Sequence, residues 1–270
     1  MSLSNKVVIV TGASSGIGAA IAQVLAREGA TLALVGRNVA NLEATKKSLK
    51  GTQAEIVVAD VTKDADAIVQ QTLAKFGRID VLVNNAGILG KGGLIDLDIE
   101  EFDAVLNTNL RGVILLTKAV LPHLLKTKGA VVNVSSCAGI RPFAGALSYG
   151  VSKAALDQFT KIVALEMAPQ GVRVNSVNPG FRGDQHPSEH WHRRRGVQRN
   201  APAGHQFASH GPCRRRHRSG RGSGLFGQLQ GKFHHRRPLP HRWWQAQSDA
   251  SLSVFPVITF PPSFFFSINK

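Results

Sequence analysis

The first two thirds of the chain are predicted to form a doubly wound α/β fold, in which helices cover both faces of a parallel β-sheet. Short β-branched runs alternate there with longer stretches of helical period, as in βαβ units. The short runs are apolar nearly throughout, which predicts strands that are buried on both faces. A glycine-rich segment joins the first run to the first helical stretch, where folds of this class bind nucleotides.

Six strands and five helices account for this alternation. Gly29 and Gly77 stand where helix-terminating glycines belong. The predicted strands are 7–10, 31–35, 55–58, 81–83, 130–134 and 173–177. The predicted helices are 16–28, 38–50, 64–76, about 101–128, and 149–168.

The glycine-rich segment reads TGASSGIG over positions 11–18. Gly12, Gly16 and Gly18 would let the backbone approach a pyrophosphate, whose charge the N-terminus of the following helix would stabilise. Three residues separate the first two glycines, which differs from the common dinucleotide fingerprint. A tight strand-to-helix turn that binds nothing is the alternative.

Tyr149 and Lys153 stand four residues apart at the start of a predicted helix, so both side chains project from one face. A phenol with a pKa of about 10 is a poor base at neutral pH, but a nearby ammonium group stabilises the phenolate. We therefore expect Tyr149, the only tyrosine in the chain, to act as a general acid/base. A surface pair on an amphipathic helix is the alternative.

These motifs resemble those of the short-chain dehydrogenase/reductase family, and the chain looks like its 3-oxoacyl-carrier-protein reductases. The resemblance covers about two thirds of the chain and implies a Rossmann-like fold. It also implies hydride transfer between a nicotinamide cofactor and a ketone or secondary alcohol. The motifs that carry it in order and spacing are the glycine segment, Asp60-Val61, Asn84-Asn85-Ala86-Gly87, Asn109, and the set Ser136, Tyr149 and Lys153.

The resemblance implies a role for most of these residues. Ser136 would hydrogen-bond the reacting carbonyl oxygen, Lys153 would also bind the nicotinamide ribose, and Asn109 would hold a water that connects Lys153 to solvent. Asp60 would bind the adenine amino group. Asn84 to Gly87 would steady the cofactor site, although Asn84 could instead be a strand-end turn residue. The expected cofactor-binding residues are Gly12, Ser14, Ser15, Gly16, Ile17, Gly18, Arg37, Asp60, Val61, Asn84, Ala86, Gly87, Tyr149, Lys153, Pro179 and Gly180.

Cofactor choice is expected to depend on the end of the second strand, where an acid would accept the adenosine ribose hydroxyls and a base would pair with a 2′-phosphate. This chain has Gly36-Arg37 there and no acid. We therefore expect NADP(H), with Arg37 as the phosphate partner. NAD(H), with Arg37 as a solvated loop residue, is the alternative.

The composition changes after Phe181. Residues 1–181 carry a net charge of +4 and residues 182–270 carry +12, and the second part holds all three Trp and nine of the ten His. We expect an incomplete NAD(P)-binding domain over 1–181 and an irregular basic tail with little packed core over 182–270. Arg182-Gly183-Asp184 also replaces the segment in which the family carries a Thr after the loop 178–180.

The interpretation that we favour for this tail is the family's C-terminus translated in a shifted frame. Read from the second base of each codon, Trp243-Trp244-Gln245 forces Gly-Gly followed by Lys or Arg, which resembles the family's closing segment. The same shift over 209–218 permits the family's Pro-x-Gly-Arg. Residues 251–270 would then be run-on sequence, with a membrane-attached tail as the alternative.

Two other interpretations of the tail stay open. Its Arg-rich clusters and Trp residues could bind nucleic acid, which we do not expect. A metal site would use His190, His192, His234 and His235, but their spacing is irregular and we expect no metal.

The first residues lack a secretory signal or a membrane span, so a cytoplasmic protein with no membrane partner is expected. Cys137 and Cys213 are expected to be free thiols. The expected partner is a small carbonyl or alcohol substrate, from acyl-thioester ketones to steroids, retinoids and simple sugars. A homo-oligomer is expected if the C-terminus were intact, and the aberrant tail is expected to impair activity.

Overall fold

The computed structural model describes residues 3–180, and these form one parallel six-stranded sheet with helices around it. The predictions for Phe181 and for the tail at 182–270 lie outside the described residues. Every strand pair in the sheet is parallel, and the strand order is β3-β2-β1-β4-β5-β6.

All six predicted strands are present, each within one residue of its predicted ends, and β1 and β4 are the most completely buried of them. The strands are β1 Val7–Thr11, β2 Thr31–Gly36, β3 Ala54–Val58, β4 Val81–Asn84, β5 Ala130–Val134 and β6 Arg173–Val177. The helices are α1 Gly16–Arg27, α2 Val39–Ser48, α3 Ala65–Phe76, α4 Ile99–Leu106, α5 Gly112–Thr127 and α6 Leu147–Met167. A π-helical turn covers Asn107–Arg111, and 3₁₀ turns cover Cys137–Gly139 and Ala168–Gln170.

Two hydrophobic layers, one on each face of the sheet, hold the fold together. Successive side chains of a strand point to opposite faces. Val8 and Val10 of β1 accordingly pack in one layer with Leu25 of α1. Ile9 between them packs in the other layer with Leu116 of α5. Because each fully buried Leu or Ile contributes about 1.5–3 kcal/mol, these layers stabilise the sheet that carries the site.

The prediction that every strand is buried on both faces is wrong at the edges of the described sheet. In β3, Val58 is 51% exposed, and in β6 both Arg173 and Asn175 are exposed. An edge strand has one neighbouring strand in this sheet, and here its side chains are covered less completely than those of the central strands.

The single helix predicted near 101–128 is interrupted by the π-helical turn. The backbone stays helical from Ile99 to Thr127, but the wider turn changes which side chains face inward. Asn109, in the middle of this turn, is fully buried. By length and composition alone the segment could cross a membrane, but a core helix passes the same test, and Leu116 and Leu124 are buried in the core.

Both predicted helix-terminating glycines occupy the left-handed region of backbone conformation. Gly77 ends α3 with φ of +75°, and Gly29 follows the end of α1 with φ of +87°. An L-residue with a side chain would be strained at either position.

The strand order reverses between β1 and β4, and the reversal opens a crevice at the carboxyl ends of these strands. The chain passes from β1 outward to β3 and then returns to place β4 on the other side of β1. Open α/β sheets bind ligands at such a switch point. Two segments that carry predicted site residues, the glycine turn after β1 and the loop after β4, meet there.

Candidate active site

The glycine turn brings the end of β1, the start of α1 and the loop after β4 into close contact. Gly12 has φ of +64°, and a Cβ on it would lie 2.9 Å from Nδ2 of Asn85 and 3.0 Å from Cα of Ala86. A Cβ on Gly18 would overlap the carbonyl oxygen of Gly12. Neither position has room for a side chain, so these two glycines set the packing of the turn.

Gly16 faces open space. It has φ of +54°, and nothing lies within 4 Å of the position that its Cβ would take. Ser15, the residue before α1, makes no side-chain cap. The first N–H groups of α1 thus lack a side-chain cap and lie at the positive end of the helix dipole, next to this open space, an arrangement that fits a bound pyrophosphate.

Thr11, which the sequence interpretation passed over, joins the carboxyl ends of β1 and β4. Its buried hydroxyl accepts hydrogen bonds from the backbone N–H groups of Asn85 at 2.9 Å and Ala86 at 3.0 Å. The Asn85 amide donates in return to the Thr11 carbonyl at 2.9 Å. Thr11 stands directly before the first glycine, and this position is the signal that could have identified it.

Asn84 lies behind the cleft instead of lining it. Its amide donates to Thr117 of α5 at 3.1 Å and to Asn133 of β5 at 2.9 Å. Asn133 donates in turn to Thr160 of α6 at 2.9 Å. The side chain therefore fastens the sheet to two helices, while Asn85 and Gly87 line the cleft.

A cleft of about 270 Å³ opens at the carboxyl ends of β4 and β5. It brings together several of the predicted residues from the glycine turn, the loop after β4, the turn after β5, α6 and the loop after β6. These lining residues include Ile17, Gly87, Ser136, Tyr149, Lys153 and Gly180.

Ser136, Tyr149 and Lys153 meet at one wall of this cleft. Lys153 Nζ donates to the Val134 carbonyl at 2.7 Å and lies 5.7 Å from the centre of the Tyr149 ring. The Ser136 hydroxyl accepts a hydrogen bond from the Ala138 N–H at 3.1 Å and lines the same cleft as the phenol. The spacing of Tyr149 and Lys153 on the first turns of α6 thus places both on the cleft that Ser136 also lines.

Burial dominates the electrostatics of this wall. It raises the pKa of Tyr149 above its usual value, with the hydrogen bond from Ser136 opposing this and the nearby Cys137 thiol reinforcing it. Burial also lowers the pKa of Lys153 to about 8, with Asp157 opposing it. Burial thus acts on Tyr149 in the opposite sense to the stabilisation expected from the ammonium, and it also disfavours the charged form of Lys153, so the lowering of the phenol's pKa by Lys153 stays a prediction. Tyr149 is protonated at neutral pH.

Asn109 is held by protein groups on both sides of its amide. Its Nδ2 donates to the Ile88 carbonyl at 2.9 Å and to Ser152 Oγ at 3.0 Å, and its Oδ1 accepts from the Ile88 N–H at 2.8 Å. Ser152 then donates to the Tyr149 carbonyl at 2.7 Å. Asn109 thus links the loop after β4 to the first turn of α6. Ser152 was missed, although it stands between Tyr149 and Lys153 in the sequence.

Arg37 and Asp60 lie together at the far side of the crevice, where β2 and β3 end. The Arg37 guanidinium is 3.7 Å from the Asp60 carboxylate, and its side chain is 75% exposed. Asp60 accepts hydrogen bonds from the Thr62 N–H at 2.9 Å and the Thr62 hydroxyl at 2.8 Å. The Thr62 backbone bond is the main reason why the pKa of Asp60 lies below its usual value. The Val61 carbonyl oxygen lies close to Gly112, where an added Cβ would be 3.1 Å from it.

The loop after β6 is fastened to the turn that carries Ser136. The Cys137 N–H donates to the Pro179 carbonyl at 3.0 Å, and the Ser135 N–H donates to the Val177 carbonyl at 2.8 Å. These bonds hold Pro179 and Gly180 at the edge of the cleft.

Comparison with known proteins agrees with this architecture. A family model described as short chain dehydrogenase matches residues 6–189, beyond the point near Phe181 where the sequence resemblance was predicted to stop. The 3-oxoacyl-[acyl-carrier-protein] reductase FabG of Thermotoga maritima is 43% identical over 187 residues, which are 67% of this chain and 76% of that protein. The 2-(R)-hydroxypropyl-CoM dehydrogenase of Xanthobacter autotrophicus is 43% identical over 186 residues, 66% of this chain and 74% of that protein.

Solved structures share the fold. Levodione reductase superposes with a TM-score of 0.64 at 38% identity, covering 66% of this chain and 72% of that one. NAD⁺-bound xylitol dehydrogenase superposes with a TM-score of 0.66 at 36% identity, covering 72% of this chain and 76% of that one. The chain therefore belongs to the short-chain dehydrogenase/reductase family, whose members are NAD(P)-dependent oxidoreductases.

Proposed function

We propose that this chain transfers a hydride between NADP(H) and a ketone or secondary alcohol, with Tyr149 as the general acid/base. The observation that carries the proposal is that Ser136, Tyr149 and Lys153 line the same cleft as Ile17 of the glycine turn. A cofactor whose pyrophosphate lies at the start of α1 would thus extend toward the residues that handle the proton.

The chain's own groups fit such a cofactor. The open space beside Gly16 suits the pyrophosphate, and Lys153 is within the cleft to bind the ribose of the reactive end. Pro179 and Gly180 border the same cleft and would flank the nicotinamide ring. When bound, the nicotinamide supplies the hydride.

The proton is handled by Tyr149. In the reduction direction its phenol donates a proton to the carbonyl oxygen as negative charge develops there, and Ser136 donates a hydrogen bond to the same oxygen. In the oxidation direction the phenolate takes the proton from the alcohol. Because burial raises the pKa of Tyr149, the phenol of the free chain is protonated at neutral pH and is ready to donate in the reduction direction.

Arg37 supports the preference for NADP(H). Its guanidinium is exposed, and its ion-pair partner among residues 3–180 is Asp60 at the long distance of 3.7 Å. A 2′-phosphate would offer a stronger, bidentate partner. NAD(H) is the alternative, and xylitol dehydrogenase is a structural relative with NAD⁺ bound.

Turnover by this particular chain is proposed to be impaired. The chain spans about three quarters of its curated relatives, and its own sequence after residue 181 carries a net charge of +12. A shifted reading frame would account for that change. An inactive variant of the enzyme, or an enzyme with a basic tail that binds nucleic acid, are the alternatives. Cytoplasmic location and a homo-oligomeric state stay predictions.

The test is a fluorescence titration with NADPH and NADH, followed by ketone reduction, for the full chain and for a chain whose C-terminus is restored to the shifted frame. NADPH should bind to both chains, and the restored chain should reduce ketones faster. Equal turnover by the two chains would contradict the impairment. Absence of nucleic-acid binding by the full chain even at low salt would remove the alternative of a nucleic-acid-binding tail. If neither chain binds NADPH, the proposed function is wrong.

A further inference from the structure

Asp157 of α6 is not one of the residues predicted for the site. Asn178 nevertheless connects it to Ser136, which is one of them. Its carboxylate accepts hydrogen bonds from Asn178 Nδ2 at 3.1 Å and 2.9 Å. The same Nδ2 donates to the main-chain carbonyl of Ser136 at 3.1 Å. One amide therefore bridges α6 and the backbone of the serine.

Gly139 allows the turn after β5 to lie directly on this carboxylate. A Cβ on Gly139 would lie 2.6 Å from Asp157 Oδ2 and 2.9 Å from the Lys153 carbonyl oxygen. Only a residue without a side chain fits there. The Ser136 turn is consequently packed against α6 at the level of Lys153, with the Asp157 carboxylate beside it.

The loop after β6 is part of the same assembly. Its Pro179 carbonyl accepts from the Cys137 N–H at 3.0 Å, immediately beside the Ser136 carbonyl that Asn178 contacts. Helix α6 carries Tyr149 and Lys153, so fixing the turn and the loop to this helix fixes them relative to both side chains.

We propose that Asp157 is a positioning residue, which acts through Asn178 to hold Ser136 and the Pro179–Gly180 loop in register with Tyr149 and Lys153. The inference rests on the proposed function, because its consequence is a geometry suited to proton transfer. Asp157 itself contacts neither the cleft nor the phenol among the described contacts.

The carboxylate has an electrostatic consequence that a purely structural contact would lack. It stands one helical turn after Lys153 and opposes the lowering of that residue's pKa by burial. The other groups facing the Lys153 region from neighbouring elements are the Val134 carbonyl of β5, Asn109 of the π-helical turn and the Cys137 thiol near Tyr149. Burial and the Asp157 carboxylate shift the pKa of Lys153, and the carboxylate is the charged group of the two.

The primary variant is Asp157→Asn in the full chain, with Glu166→Gln as the matched control. The amide keeps an acceptor for Asn178 but loses the charge. Glu166 is an exposed residue of the same helix, nine positions further on, which is about 13 Å along the axis. We expect Asp157→Asn to lower kcat for ketone reduction about tenfold, the usual effect of weakening one hydrogen bond to a charged group. The control should leave kcat unchanged.

The pH profile of kcat/KM distinguishes positioning from simple loss of structure, because it reports groups of the free enzyme. Without the Asp157 charge, the alkaline limb of the reduction profile should move to lower pH by on the order of one unit. Glu166→Gln should leave the limb in place. An unshifted limb and parental kcat in a folded Asp157→Asn chain would overturn the proposal.

Exchanging the two side chains tests the direction of the hydrogen bonds. The double variant Asp157→Asn with Asn178→Asp restores a bond between the two positions, but a carboxylate at 178 cannot donate to the Ser136 carbonyl. We expect the double variant to stay as slow as the single one. Recovery of parental kcat would show that the bond between positions 157 and 178 is sufficient and that the bond to the Ser136 carbonyl is not needed, which would overturn the proposal.

A titration of Lys153 separates failure of this inference from failure of the proposed function, since it requires no turnover. NMR of ¹³C-labelled lysine, with the Lys153 signal assigned by its loss in Lys153→Met, gives the pKa of this amine in each variant. A lower value in Asp157→Asn than in the parent and in Glu166→Gln supports the role of the carboxylate even if no ketone is reduced. The same value in all three chains would overturn it.

Discussion

Replacing Gly16 by Ala separates cofactor binding from backbone strain. Gly16 has φ of +54° and open space around its Cβ position, so the methyl group would clash with no described protein atom and would enter the space assigned to the pyrophosphate. Gly51 is its matched control, because it has φ of +75° and equally open surroundings in an exposed turn outside the predicted site.

The expected cost in stability is similar for the two variants. A left-handed conformation costs an L-residue about 1–2 kcal/mol, and the loss of unfolded-chain entropy on replacing Gly by Ala returns about 0.4–1 kcal/mol. Both variants should therefore lose about 1 kcal/mol of unfolding free energy, measured by urea denaturation. Chain folding survives a loss of this size.

Only Gly16→Ala should weaken NADPH binding. A methyl group between the helix N-terminus and the phosphates would lengthen several charge-assisted hydrogen bonds, each contributing about 1.5–3 kcal/mol, so we expect Kd to rise at least about tenfold. Fluorescence titration of the parent, Gly16→Ala and Gly51→Ala measures this directly. A Kd for Gly16→Ala within about twofold of the Gly51→Ala value would refute the assignment of the pyrophosphate to the start of α1.

Two further variants test cofactor choice and the buried lysine. Arg37→Ala should raise the Kd for NADPH about tenfold and leave the Kd for NADH unchanged, as measured by titration with each cofactor; equal effects on both would argue against a 2′-phosphate contact. The pKa of Lys153 is about 8 when folded and 10.5 when unfolded, so the folded state binds fewer protons between these values and the parent gains stability as pH rises through this window. The unfolding free energy of the parent relative to that of Lys153→Met, measured by denaturation at several pH values, should therefore rise by about 3 kcal/mol from pH 8 to 10.5; a pH-independent difference would mean that the pKa of Lys153 is not shifted.

The strands could be predicted from sequence because each is a short apolar run, and burial between two helical layers is what such a run requires. The π-helical turn at Asn107–Arg111 could not, since one widened turn leaves the apolar composition of the surrounding helix unchanged. Its effect is nevertheless large, because the amide of Asn109 is brought into the interior between Ile88 and Ser152.

The candidate site was predictable as a set of residues but not as a set of contacts. Asn84 and Asn85 are adjacent, and which of them faces the cleft depends on how the last residue of β4 is oriented. Asp157 and Asn178 are 21 residues apart, on a helix and a loop that meet only in the folded chain. No local pattern encodes such a pair. The raised pKa of Tyr149 likewise depends on burial that the sequence spacing does not reveal.

The most direct test of the central claim compares the parent full chain with Tyr149→Phe in NADPH binding and in NADPH oxidation with a panel of ketones. The phenyl ring keeps the shape of the cleft wall and removes the proton donor. The account predicts that both chains bind NADPH with similar Kd and that the ketone-dependent rate of Tyr149→Phe falls at least about a hundredfold below that of the parent. A ketone-dependent rate that is unchanged in Tyr149→Phe would contradict it.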